Sequence, residues 1–362
     1  MKQVLLLGKN GMLGQAIVGA IHESPVRNRA GAIHELSLRH LESIRVTLHS
    51  WGHQDLDITD RLEVIKKISQ LKPSIVINAT GFTDVDGAES QKDLAFAVNV
   101  AGPGYLAEVC NQINASLIHF STDYVFDGSQ ERGYEENDQS HLGPVNVYGE
   151  SKLEGEKNVK YQISNVNSIP NSKSQMSKYF IVRTSWLYGQ GGKNFVDTIL
   201  KRARDGQTEF KIVDDQFGLP TYAFDLAQAV WEMVNQHEQL DSGIYHVTNS
   251  KFQILNFKSL PAKAYALRRG QAGISNDKCQ MTNATEETAG ITWYDFACEI
   301  FKQAKELGIL SKLPIITPCA TAEFPRLAKR PKYGALISTK LPALRSWQSA
   351  LTDYLKTKLS NV

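Results

Sequence analysis

Cysteine is scarce in this chain, and Cys110, Cys279, Cys298 and Cys319 include no C-x-x-C pair. That argues against a disulfide framework or a zinc knuckle, so the four read as reduced thiols of a cytosolic protein. An excess of charge is also missing. Forty basic against 38 acidic residues leave a net +2, so no field draws the chain to nucleic acid or to a membrane surface. No run approaches the ~20 apolar residues of a membrane span, and the apolar opening is too short for a signal peptide. The nine histidines are dispersed. His49 and His53 stand four apart but flank Trp51-Gly52, a turn pattern, so no metal site is expected. These absences point to a soluble, cytoplasmic protein. Its 362 residues suit one large α/β domain with a smaller lobe.

The informative residues begin at once. Val4-Leu5-Leu6-Leu7 is an apolar run of the kind that forms a buried parallel strand. It ends in Gly8, followed by Gly11 and Gly14. Gly11 would let backbone approach a pyrophosphate, and Gly14 would let the following helix, expected over Met12–Ile21, pack close to the strand. The helix amides and dipole would then face the phosphates. A second strand is expected to end near Asp55-Leu56-Asp57-Ile58, before a helix from Thr59 to Leu71. Further strands are expected at Ser74–Thr80, Leu117–Ser121 and Tyr179–Arg183. Strands alternating with helices in this way imply a doubly wound parallel sheet, with ligands beyond the carboxyl ends of its strands. Thr80, Thr122, Thr184 and Ser185 fall at such ends.

Tyr148 and Lys152 stand four apart, a spacing that shares one helix face. An ammonium beside a phenol favours the phenolate, so Lys152 is expected to lower the Tyr148 pKa from about 10. Tyr148 would then exchange protons near neutral pH. With Ser121-Thr122-Asp123 upstream and the glycine loop for a dinucleotide, the set describes a hydride-transfer site.

Longer runs carry a resemblance. Ser121–Gly128, Asn146–Glu156, Arg183–Gly189, Asp214–Thr221, Thr292–Ala297 and Arg330–Tyr333 resemble, in order, the dTDP-4-dehydrorhamnose reductase family of extended short-chain dehydrogenases. Those dehydrogenases also carry the Gly-x-x-Gly-x-x-Gly variant. The resemblance implies a Rossmann-type domain over 1–185, a return segment near 222–250, and a mainly nucleotide-sugar-binding lobe over 186–362. It implies NAD(P)H-dependent reduction of the C4 ketone of dTDP-4-dehydro-6-deoxy-L-mannose, the last step of dTDP-L-rhamnose synthesis. Tyr148 would donate the proton, Lys152 would tune it and hold the nicotinamide ribose, and Thr122 would hydrogen-bond the ketone oxygen. The implied cofactor contacts are Gly8, Asn10, Gly11, Met12, Leu13, Gly14, Asp57, Ile58, Ala79, Thr80, Tyr148 and Lys152. Thr83, Val85, Asp123, Tyr124 and Trp186 would meet the sugar. Asn194, Gln216, Pro220 and Thr221 would lie along the nucleotide diphosphate and base. Arg330 would clamp a pyrophosphate or else form a surface ion pair.

Relative to that family the chain has extra segments at about 24–44, 160–178 and 251–289, read as surface excursions. Gly334 stands where the family usually carries serine. The first extra segment precedes the second strand, which blurs the choice between cofactors. Lys9 could meet a 2′-phosphate, so NADPH is favoured over NADH. Two alternatives stay open: a reductase of a related 4-keto-6-deoxy sugar, and a non-catalytic subunit of the kind that regulates methionine adenosyltransferase. A homodimer is also open, because a two-fold patch has no sequence signature.

Overall fold

The computed structural model describes residues 2–22, 46–164, 177–249 and 289–359. The extra segments at 24–44, at 251–289 (Ala289 apart) and most of 160–178 lie outside them. The central feature is a six-stranded, fully parallel sheet. Its strands include β1 (Lys2–Leu7), β2 (Val46–Trp51), β3 (Ile75–Asn78), β4 (Ser116–Thr122) and β5 (Tyr179–Thr184), and Gly243–His246 pairs on the far side of β5. From one edge to the other the order is Gly243–His246, β5, β4, β3, β1, β2. The chain therefore leaves β1 on one side for β2 and returns on the other for β3. The topological switch lies between β1 and β3, where such sheets open a ligand crevice.

Val4 to Leu7 are all essentially inaccessible, as expected for a strand covered on both faces. One face carries Val4, Leu6, Ile75, Ile77, Ile118 and Phe120 under the helices Met12–His22 and Ala223–Gln236. The other carries Leu5, Leu7, Val76 and Leu117 under Arg61–Leu71, Gly102–Ile113 and Val147–Ser164. A third core forms away from the sheet, from residues 188 onward. The helices Phe195–Arg204, Trp293–Glu306 and Trp347–Leu359 close there on a two-stranded pairing of Glu209–Val213 with Ile315–Cys319.

Two sequence expectations need correction. The second strand ends at Trp51, because Gly52 begins a turn whose amide donates to Asp55 Oδ2 at 2.8 Å. Asp55 to Ile58 thus form the connection rather than the strand end. Cys110 and Cys319 are free and buried, but Cys298 is disulfide-bonded, since wide sequence spacing does not prevent a bridge.

The Val147–Ser164 helix is tied to the sheet by charge. Its Glu156 accepts from Arg183 Nε at 2.8 Å and from Arg183 Nη2 at 2.7 Å. Ser121 Oγ on β4 adds a bond of 2.6 Å, and both charged side chains are 0% exposed. Burial pushes the Glu156 carboxyl upward, but Arg183 and Ser121 outweigh it and hold the group below the ordinary range.

Removing one member of such a pair strands a buried charge, at a cost of about 3–5 kcal/mol. Arg183→Met should lower urea-unfolding stability by about that amount, and a loss under about 1 kcal/mol would contradict the account. A lowered folded pKa contributes stability above the unfolded carboxylate pKa and loses it as pH falls through the folded value. Wild type should therefore weaken in acid more steeply than Glu156→Gln, measured as unfolding free energy against pH.

Candidate active site

The glycine loop divides its work among three positions. Gly8 has φ +88°, and a Cβ there would lie 2.7 Å from the Ala79 carbonyl oxygen at the end of β3. A Cβ on Gly14 would lie 2.0 Å from the Gly8 carbonyl oxygen, so Gly14 permits helix-to-strand contact. Gly11 is different. It is exposed, and a Cβ there would meet only Gly8 O, at an ordinary 3.5 Å. The protein's own packing does not demand glycine at 11, whereas a ligand lying against the backbone would. Ala79 and Thr80 adjoin this loop across the switch point, and the helix from Met12 presents its N-terminal amides there. The cradle fits a dinucleotide pyrophosphate.

Other expected cofactor residues are partly engaged within the protein. Asp57 Oδ1 accepts from Thr59 N at 2.9 Å and Thr59 Oγ1 at 2.8 Å. Ile58 is 5% exposed and packs beneath Gly102. Lys9 Nζ holds Asp55 Oδ2 at 2.7 Å, so it braces the loop against the turn after β2.

The second half of the site is carried by the Val147–Ser164 helix. Asn146 caps it, accepting from Gly149 N at 2.8 Å, while its amide donates to Lys329 O at 2.7 Å. Tyr148, Lys152 and Glu156 then fall four apart on the stripe that faces the sheet. Gly155 allows close approach to a π-helical turn, Ala97–Ala101, because a Cβ there would lie 2.0 Å from Asn99 O. Asn99 ties that turn to the helix through Ser151 Oγ at 2.9 Å. It also holds the Phe82 backbone, at 2.9 and 3.0 Å. This sets the position of the loop carrying Thr83 and Val85.

The expected lowering of the Tyr148 pKa is not found. Part of the side chain is open, but protein surrounds the phenol, and burial pushes its pKa up to about 12, with Thr122 pulling the other way. Lys152 does not oppose this, because its Nζ donates to Phe120 O at 2.7 Å. Burial lowers the lysine to about 8. Tyr124 covers Tyr148 edge-on, with ring centroids 5.5 Å apart.

Sequence reasoning missed the layer beneath. Asn78 Oδ1 accepts from Thr80 N at 3.1 Å and Thr80 Oγ1 at 2.5 Å, which leaves its amide nitrogen 3.1 Å from His119 Nδ1. Nδ1 must therefore accept, and the imidazole is neutral with its proton on Nε2. Burial and Lys152 both lower its pKa. The only sequence signal was position: Asn78 and His119 are register partners near the ends of neighbouring strands.

Several residues expected at the substrate hold other protein groups. Asn194 caps the Phe195–Arg204 helix, accepting from Asp197 N at 2.9 Å and donating to Gly189 O at 2.9 Å. Arg330 grips Asp86 at 2.8 and 2.9 Å, the ion-pair alternative to a pyrophosphate clamp. Trp186, with φ +45°, stacks on Trp293 at 3.6 Å. Gln216 donates to Thr321 Oγ1 at 2.9 Å, and Pro220 and Thr221 are buried. Thr83 is exposed, and Tyr124 borders Tyr148. Among the described residues no cluster could hold a metal ion, and no helix is long and apolar enough to cross a membrane.

A parallel sheet with a glycine cradle at its switch point, facing a Thr-Tyr-Lys set, defines a pyridine-nucleotide oxidoreductase of the extended short-chain class. The chain matches the RmlD substrate binding domain family over residues 1–259 and 275–360 and belongs to that family. It is 32% identical to dTDP-4-dehydrorhamnose reductase of Aggregatibacter actinomycetemcomitans, over 98% of each chain. A dTDP-4-dehydrorhamnose reductase structure from Clostridium acetobutylicum is 33% identical and covers 99% of each chain, with a TM-score of 0.71. One from Bacillus anthracis, in complex with NADP, is 28% identical with a TM-score of 0.70, covering 99% of this chain and 100% of that one.

The loop geometry separates fold from binding. Gly11→Val should keep the melting temperature within a few degrees yet abolish NADPH binding, read by fluorescence titration. Gly14→Val should lose the fold, because its side chain meets backbone. Normal NADPH affinity in Gly11→Val would remove the loop from the phosphate site.

Proposed function

We propose that this chain reduces the C4 ketone of dTDP-4-dehydro-6-deoxy-L-mannose to give dTDP-L-rhamnose, with NADPH as reductant. The observation that carries the reading is the Thr122–Tyr148 contact, with Lys152 one turn along the same helix, at the carboxyl end of the sheet that also carries the glycine loop, in a chain similar over nearly its whole length to named reductases. When bound, the nicotinamide supplies the hydride. Everything else falls to the protein. Gly8 to Gly14, with Ala79 and Thr80, receive the dinucleotide, and Asp57 and Ile58 border its adenosine end. Lys152 holds the ribose. Tyr148 donates the proton to the developing alkoxide, and Thr122 bonds the ketone oxygen. A phenol held up to about 12 stays protonated through the neutral range, which suits a donor in the direction of reduction. Thr83, Val85 and Tyr124 border the sugar, and the lobe from about residue 186 receives the nucleotide.

A coupled assay tests the activity: NADPH oxidation with the 4-keto sugar formed in place from dTDP-glucose. Absence of oxidation with that sugar, alongside oxidation with another nucleotide-linked 4-keto sugar, would reassign the substrate. Tyr148→Phe should bind NADPH normally and lose about two to four orders of magnitude in kcat, the usual worth of a general acid. Retention of more than about a tenth of kcat would place the proton elsewhere.

Lys152→Met should weaken NADPH affinity and, with it, turnover, since the ammonium anchored on Phe120 O is the group that holds the ribose. Unchanged affinity and an unchanged pH–rate profile would take Lys152 out of the site.

A further inference from the structure

We propose that Asp123 is the acid that re-protonates Tyr148, acting through the Thr122 hydroxyl. The inference rests on Tyr148 as proton donor and extends that reading one group further. Asp123 is 3% exposed and sits immediately after the end of β4. Thr122 Oγ1 donates to its Oδ1 at 2.9 Å, and the same hydroxyl lies against the Tyr148 phenol. Tyr124 N reaches Thr122 Oγ1 at 3.3 Å and fixes the oxygen between the two. On the other side, a Cβ at position 334 would lie 2.5 Å from Asp123 Oδ2. Glycine there leaves the carboxyl the room to carry a proton.

The surroundings offer it little cationic support. The ionisable groups beside it are the phenols of Tyr124 and Tyr148. Arg330 is engaged with Asp86 at 2.8 Å, and Lys332, on the Gly334 segment, lies over the Tyr333 ring at 4.9 Å. Burial raises the carboxyl to about 7 and the phenol to about 12. A proton passed from acid to phenolate therefore runs downhill.

The transfer balances. The phenolic O–H bond breaks as its proton joins the substrate alkoxide. The Thr122 O–H bond breaks to restore the phenol, and the Asp123 O–H bond breaks to restore Thr122. Asp123 is left as a carboxylate, which water re-protonates before the next turnover. Protonation of Asp123 reverses the bond seen here, so that the threonine proton turns toward the phenol. The rate should fall as pH rises through the Asp123 titration, because the protonated acid is the competent form.

The test is repeated turnover by the full chain with NADPH and the 4-keto sugar, across about pH 5.5 to 9, in wild type and Asp123→Asn. NADPH affinity and melting temperature serve as controls for fold. The expected variant binds NADPH as wild type does, loses at least about tenfold in kcat near pH 6, and loses the near-neutral limb of the profile. A 13C carboxyl resonance that titrates near neutrality in wild type and is absent from the variant should accompany this. A kcat within twofold and an unaltered limb would overturn the relay, as would a raised sugar KM with kcat unchanged. If the variant fails to fold, a wild-type kcat independent of pH from about 6 to 8.5 overturns it. Inactive Tyr148→Phe beside normal Asp123→Asn would remove Asp123 alone. Active Tyr148→Phe would remove the reading beneath it.

Discussion

The catalytic half of the site depends on where one helix lies on the sheet, and the Glu156–Arg183 pair is the buried charged contact that holds it there. A helix held only by apolar contacts can slide or roll at modest cost, because dispersion is non-directional. A bidentate guanidinium–carboxylate contact, closed by Ser121 and shut from water, allows one registration. Two turns earlier on the same stripe this places Tyr148, and one turn earlier Lys152. Ser121, which closes the pair, is adjacent to Thr122. The strand residue that holds the helix and the one that meets the phenol are neighbours in sequence.

The crevice and the helix were legible for different reasons. Gly8 and Gly14 announce themselves because backbone geometry leaves few residue types for those positions, and Gly11 because a ligand lying against the backbone would leave no room for a side chain. Tyr148 and Lys152 were legible from spacing, since helical periodicity determines which side chains share a face. The electrostatics were not legible. Spacing placed an ammonium near a phenol, but it could not reveal that Phe120 O would take that ammonium or that burial would raise the phenol. Proximity in sequence predicts shared faces; hydrogen-bond partners come from other elements.

Motif matches also proved of two kinds. Thr292–Ala297 is one of the runs that carry the family resemblance, and in it Thr292 and Asp295 form a reciprocal helix cap at 3.0 and 3.1 Å. Asn194 is likewise a helix cap. Such residues hold the lobe in shape, and a sequence pattern does not distinguish them from residues that touch a ligand. The second strand was misplaced for a related reason: Asp55 to Ile58 carry polar and apolar residues in alternation, but Gly52 and Asp55 had already turned the chain.

The Trp186–Trp293 stack has an optical consequence. Two indoles 3.6 Å apart and nearly parallel couple their strong electronic transitions, so the circular dichroism of the pair in the far-ultraviolet indole region differs from the sum of the separate rings. One ring follows β5, and the other opens the Trp293–Glu306 helix. The molecule thus carries a built-in chromophore pair that reports whether the sheet and the distal helical core are in register.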